Sequence, residues 1–102
     1  IDKHKSKTIK QAIRKLVWNK YIGNKFNAYC WCCNCTVINP FEFECGHILP
    51  RCKGGLDTLH NLRPICGLCN RSMGSQHMFE FQKEHGLPNK FSLYKYIKSF
   101  VA

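Results

Sequence analysis

Eight cysteines in a chain of 102 residues constrain this sequence more than any other feature. A domain of that length buries a core of marginal size, and small folds recruit a metal ion or disulfides as staples. Spacing separates the two chemistries. Cys66 and Cys69 form a Cys-x-x-Cys pair, and the cluster Cys30-Trp31-Cys32-Cys33-Asn34-Cys35 offers two registers, Cys30 with Cys33 or Cys32 with Cys35. Such pairs, separated along a chain, are the pattern of a tetrahedral zinc site. The start, Ile1-Asp2-Lys3-His4-Lys5, has no apolar signal-peptide core, which predicts an intracellular protein, in cytoplasm or nucleus and not secreted. Thiols stay reduced there, so zinc is preferred to disulfides. The expected ligands are Cys30, Cys33, Cys66 and Cys69, with the first pair open between its two registers. Four thiolates leave no coordination position free, so the ion holds the fold together and does not activate water. Cys45, Cys52 and the unused pair of the first cluster are expected to be small buried hydrophobes.

Charge narrows the partners. Lys and Arg number 16 against 6 Asp and Glu, a formal net charge of +10. That balance favours a polyanion, nucleic acid before an anionic membrane surface, and the chain has no run of about 18 apolar residues that would span a bilayer. Residues 1–25 hold eight of the basic side chains and one acid, Asp2.

Periodicity divides one domain, 1–102, into three parts. Residues 1–28 form a basic helical arm: Ile9, Ile13, Leu16 and Val17 share a helical face, Thr8 can cap its start and Gly23 can close it. Residues 29–74 form the cysteine-rich core. Within it Thr36-Val37-Ile38 and Phe41-Glu42-Phe43-Glu44-Cys45 have strand character around a turn at Asn39-Pro40. A loop over 50–60 and an extended Asn61–Ile65 follow, and Cys66-Gly67-Leu68-Cys69 opens a helix running to about Met73. Residues 75–102 form a helical tail, with helices over Ser75 to His85 and Ser92 to Val101. The fold class expected is α+β, with flanking N- and C-terminal helices.

Between the cysteine pairs lie Glu44-Cys45-Gly46-His47-Ile48-Leu49-Pro50, then Gly54-Gly55, then Asn61-Leu62-Arg63-Pro64-Ile65-Cys66; Cys69-Asn70 and Met73-Gly74 come after. Here the chain resembles the HNH endonuclease family in its zinc-binding four-cysteine form, most closely the modules of large DNA viruses and phages, over about Cys30 to Gly74. The resemblance implies a ββα-metal finger with a structural zinc knuckle and assigns roles. His47 matches the general base that activates water, Asn61 the residue that orients the loop and base, and Asn70 the ligand of a catalytic metal, Mg²⁺ or Mn²⁺. The residue types suit the work: a histidine takes a proton near neutral pH, and a hard divalent ion accepts an amide oxygen and stabilises phosphate charge. The family often carries an acid directly before the histidine, where this chain has Gly46. Glu44 shares a strand face with that position and is expected to supply the carboxylate. Asp57 is equally a metal ligand or a turn residue.

Phosphate contacts are expected from Arg14, Lys15, Arg51, Lys53, Arg63 and Arg71, with Trp31 and the Phe41/Phe43 pair as stacking or, preferably, core aromatics. The function expected is metal-dependent hydrolysis of phosphodiester bonds in DNA, duplex by preference; a homodimer is compatible with the sequence. The alternative is a zinc-stabilised nucleic-acid-binding module without catalytic activity, and a zinc-ribbon protein-interaction module is the third class.

Overall fold

The computed structural model describes residues 9–88. Along them lie helix α1 (Gln11–Tyr21), strands β1 (Ala28–Tyr29), β2 (Val37–Ile38), β3 (Glu44–His47) and β4 (Leu62–Ile65), then α2 (Gly67–Met73) and α3 (Met78–Glu84). The domain is mixed α and β, with two two-stranded antiparallel sheets among the described residues. Thr8 and the helix expected over Ser92 to Val101 lie outside that range. No helix of the described residues is long and apolar enough to cross a membrane.

Helix α1 packs on β3 and β4. Its inward stripe differs from the expected one. Val17 and Trp18 are buried, Ile9, Ile13 and Tyr21 pack against the core, and Leu16 is exposed. Positions 9, 13, 17 and 21 follow the i, i+4 row, and Trp18 widens it on the side away from Leu16. Trp18 earns its place twice over: its ring lies 5.1 Å from Phe43, and Nε1 donates to the Lys25 carbonyl at 3.1 Å. Gly23, at φ +87°, closes the helix as expected, its amide reaching the Trp18 carbonyl.

The expected turn at Asn39-Pro40 is present, but the second strand starts at Glu44 rather than Phe41 and belongs to a different sheet. Val37–Ile38 and the following strand do not form a hairpin with each other. β2 pairs with β1, while β3 pairs with β4, in the register Glu44 with Ile65 through His47 with Leu62. Asn39 explains the separation. Its Oδ1 accepts from the amides of Phe41 and Glu42, both at 2.9 Å, so the chain turns out of one sheet before entering the other. Helix α3 begins at Met78, three residues later than expected, because His77 caps it: Nδ1 accepts from the Phe79 amide at 3.1 Å.

Gly46 marks where β3 meets the core. A Cβ there would overlap Ile65 Cδ1 and come within 3.3 Å of Met78 Cε. Any side chain at 46 is therefore driven into the packed interior, away from solvent. Gly46→Ala is expected to destabilise the domain by about 1–3 kcal/mol through overpacking, read as a lowered thermal midpoint. An unchanged midpoint would mean that Ile65 and Met78 yield freely.

Candidate metal centre and adjoining cleft

The first knuckle is a tight turn and the second a helix start. Cys30 leaves β1 into a turn that returns Cys33, and Cys66 leaves β4 as the residue capping α2. The Sγ atoms of Cys30, Cys33, Cys66 and Cys69 all lie within 4.8 Å of one another, and Cys30 to Cys69 is 3.9 Å. Four sulfurs each about 2.3 Å from a central ion in a tetrahedron stand about 3.8 Å apart, so the spacing fits a metal such as zinc. Among the described residues this is the one gathering of three or more His, Cys, Asp or Glu side chains at metal-binding distance. It resolves the register. Cys32 is buried but outside the set, and Cys35 is exposed.

Backbone amides surround the sulfurs. Cys30 Sγ accepts from the amides of Cys32 at 3.2 Å, Cys33 at 3.4 Å and Cys66 at 3.2 Å, and Cys66 Sγ from Cys69 at 3.4 Å. Such donors stabilise thiolates and fix ligand direction. A residue the sequence did not signal braces the first turn from behind: Gln82, 1% exposed on α3, donates through Nε2 to the carbonyls of Cys32 at 3.0 Å, Pro88 at 3.2 Å and Trp31 at 3.4 Å. A glutamine on a short amphipathic helix carries no mark of that duty.

Burial pushes the thiols of Cys30 and Cys69 upward, and raises Cys32 to about 12 and Cys45 to about 11. Burial also opposes ionisation of Cys33, but hydrogen bonds with Thr36 and the Cys35 backbone outweigh it and bring that thiol to about 6. Two expectations for the spare cysteines fail. Cys45 and Cys32 are buried, whereas Cys35, in the bend before β2, and Cys52, in the short helical turn at Arg51–Lys53, are exposed.

Helix α2 joins this centre to a cleft. Neighbouring residues on a helix point about 100° apart, so Cys69 faces the sulfurs while Asn70 faces outward. Asn70 lines a cleft of about 700 Å³ together with Glu44, His47, Arg51 and Arg14. Asn70 Nδ2 donates to Glu44 Oε1 at 2.6 Å, and Arg71 Nη1 stands 3.8 Å from Glu44 Oε2. The structure thus brings Glu44 to Asn70 in the cleft, whereas a side chain at 46 would point into the interior.

Asp57, expected as a metal ligand or a turn residue, pairs instead with His47 and Arg51. Its Oδ1 lies 2.7 Å from His47 Nε2, and Arg51 grips it with Nε at 3.0 Å and Nη2 at 2.6 Å. The Arg51 hydrogen bonds, against some desolvation and with help from His47, hold the Asp57 carboxyl below its ordinary range. An ionised carboxylate only accepts, so His47 carries its proton on Nε2 and, when neutral, keeps the lone pair on Nδ1. The signal for this pairing was present as charge: an aspartate ten residues beyond a histidine, across a Gly-Gly loop. Asn61 closes that loop. Its Oδ1 accepts from the Leu49 amide at 2.8 Å, and its Nδ2 donates to the carbonyls of Leu49 and Leu56, both at 3.0 Å. A Cβ at Gly55 would overlap the Leu49 carbonyl.

The basic side chains divide. Arg63 corrects its assignment as a phosphate contact: Nη1 donates to the carbonyls of Leu62, His60 and Leu59, and the guanidinium lies 4.1 Å from the Tyr21 ring. Its charge serves the fold. Arg51 is bound to Asp57 at the cleft wall. Lys15, Lys53 and Arg71 are exposed, and Arg14 lines the cleft while donating to the Phe43 carbonyl at 2.8 Å. Trp31 packs edge-on against Tyr21, and Phe43 is buried, as core aromatics. Phe41 is not. Comparison with known proteins returns no match among family models, curated proteins or solved structures.

The centre makes two predictions. Cys33→Ser and Cys69→Ser are expected to abolish stoichiometric zinc binding, measured by mass spectrometry under native conditions, while Cys35→Ser retains it. The response to alkaline pH should depend on the metal. In the metal-free fold, Cys30 and Cys69 are raised above the ordinary thiol value of 9.0, so their contribution is complete below it and declines as pH rises beyond, while Cys33, lowered to about 6, contributes above 9.0 and loses its contribution as pH falls through 6. In the metal-loaded fold, protons compete for thiolate, so stability declines in acid. Thermal midpoints against pH, with and without zinc, read both slopes.

Proposed function

We propose that the protein is a zinc-stabilised, metal-dependent endonuclease of the HNH type, cutting phosphodiester bonds in DNA. The observation that carries this reading is the convergence of His47, Glu44 and Asn70 on one cleft, directly outside the four-cysteine centre. The succession β3, β4, α2 is that of a ββα-metal finger, with the knuckle of Cys30, Cys33, Cys66 and Cys69 holding zinc as a structural ion.

His47 acts as general base through Nδ1, taking a proton from the water that attacks phosphorus. Asp57 positions the ring and supports the imidazolium that forms, and Arg51 keeps Asp57 ionised. Asn61 holds the loop between them at a fixed width. Asn70, whose amide nitrogen is spent on Glu44, has its oxygen left for a divalent cation, and Glu44 supplies the carboxylate. One or two carboxylates with water completing the shell is the usual protein share of a Mg²⁺ site. Mg²⁺ or Mn²⁺ there would stabilise negative charge on the phosphate and the leaving oxygen. Arg71, Arg14 and Lys53 offer phosphate contacts around the cleft, and net charge favours their use.

A second reading has a specific support. Asn70, Glu44 and Arg71 satisfy one another without a cation, as they would in a zinc-stabilised nucleic-acid-binding module with no catalysis. Nicking of supercoiled plasmid separates the two. With Mg²⁺ or Mn²⁺ the wild type is expected to nick, and His47→Ala to lose about a hundredfold or more. Asp57→Asn permits the other histidine tautomer and should lower kcat with KM little changed. Equal nicking by wild type and His47→Ala would reject the base, and DNA binding without nicking would establish the second reading.

A further inference from the structure

Phe41, at 80% the most exposed large apolar side chain among the described residues, stands beside Phe26, exposed at 58%, with ring centroids 6.0 Å apart. The core does not need them, because Trp18 and Phe43 already fill the adjoining interior. The backbone holds them outward: Phe41 sits in the turn pinned by Asn39, and Phe26 in the segment between Gly23 and β1. Their planes are tilted by 58°, so the pair is not closed into a flat stack.

Phe26 borders a second groove, of about 360 Å³, whose walls include Arg14, Lys15, Lys25, Asn19 and Asn24. None of its lining residues is acidic. Glu42, next to Phe41, is turned to its own loop, with Oε1 accepting from Asn39 at 3.4 Å. Gln11 and Arg14, one helical turn apart on α1, line both this groove and the cleft of His47. Arg14 is a fixed cation between the two, 4.2 Å from the Phe43 ring centroid.

We propose that this groove binds a single-stranded stretch of nucleic acid, continuous with the strand whose phosphate lies in the cleft. The phosphates run past Arg14, Lys15 and Lys25, an unpaired base stacks on the Phe26/Phe41 rings, and the amides of Asn19 and Asn24 meet base edges. Cations flanking exposed aromatic rings are the chemistry that single strands reward, because every unpaired base offers a π-face, whereas duplex bases keep theirs inside the stack. The preferred substrate is then a junction where a strand leaves the duplex beside the cut. This inference rests on the nuclease reading only for what occupies the His47 cleft.

The test uses the His47→Ala chain, loaded with zinc and without Mg²⁺ or Mn²⁺. Fluorescence anisotropy compares an oligothymidylate about 12 nucleotides long with a duplex of equal length. The single strand should bind more tightly at equal salt. Phe26→Ala with Phe41→Ala should weaken it about tenfold or more, leaving the duplex unaffected. Phe41→Trp should retain affinity and Phe41→Leu should lose it. Lys15→Ala with Lys25→Ala should flatten the salt dependence. Equal zinc content and thermal midpoint certify that each variant is folded. Unchanged single-strand affinity in the ring variants overturns the proposal. Full binding by Phe41→Leu does so too, since it replaces stacking with plain apolar contact. So does a wild-type dimer, seen by sedimentation, that the ring variants dissociate, since a second copy then covers the patch. Plasmid nicking by wild type that persists without ring dependence would keep the nuclease reading and reject this one alone.

Discussion

Sulfurs that lie 39 residues apart in sequence meet at 3.9 Å between Cys30 and Cys69, and that meeting decides how the rest of the chain can lie. It ties the turn after β1 to the start of α2, and everything between them becomes a closed loop carrying β2, β3 and β4. The scale of the interaction explains its authority. A structural zinc site of thiolates is worth on the order of 10–16 kcal/mol in small peptides, which equals or exceeds the whole net stability of an ordinary domain, about 5–15 kcal/mol. A zinc ion held by the four sulfurs would add stabilisation on that scale, enough for short strands and short helices to persist.

The same centre sets the cleft. Because Cys69 and Asn70 are neighbours on α2, tilting the helix moves the sulfur and the amide together. Glu44 enters β3 opposite Ile65, the residue before Cys66, so it is placed by the ladder that delivers the second knuckle. His47 leaves β3 three residues later and is met by Asp57 from the loop that Asn61 clamps. Metal centre and cleft are thus two faces of one hairpin and helix. Binding or loss of a metal ion at the four sulfurs would be felt at both.

The excess of positive charge is not one surface. Arg63 is spent on carbonyls and an aromatic ring, Arg51 on a carboxylate, and Arg14 partly on the Phe43 carbonyl. Among the described residues, what remains exposed lies along α1 and at Lys10, Lys25, Lys53, Arg71 and Lys83. A planar guanidinium with five donors is suited to such internal bridging in a way that lysine is not, which is why the internal duties fall to arginine.

Cysteine spacing alone pointed to a cluster that could hold a metal and to Cys66 and Cys69 as members of it, because a tetrahedral site needs pairs that a turn can bring to one point. Local pattern also determined α1, the start of α2 at Cys66 and the close at Gly23. Tertiary structure decided what local pattern leaves degenerate. Two overlapping Cys-x-x-Cys registers are equivalent in sequence, and only the direction of the turn out of β1 selects Cys30 and Cys33. Strand partners follow from which faces can be buried together, so β3 joined β4 across a loop rather than β2 across a turn. The reason Gly46 cannot be an acid is the Ile65 and Met78 side chains behind it, and the partner of His47 is an aspartate brought in by loop closure. These are contacts between residues far apart in the chain, and no local spacing encodes them.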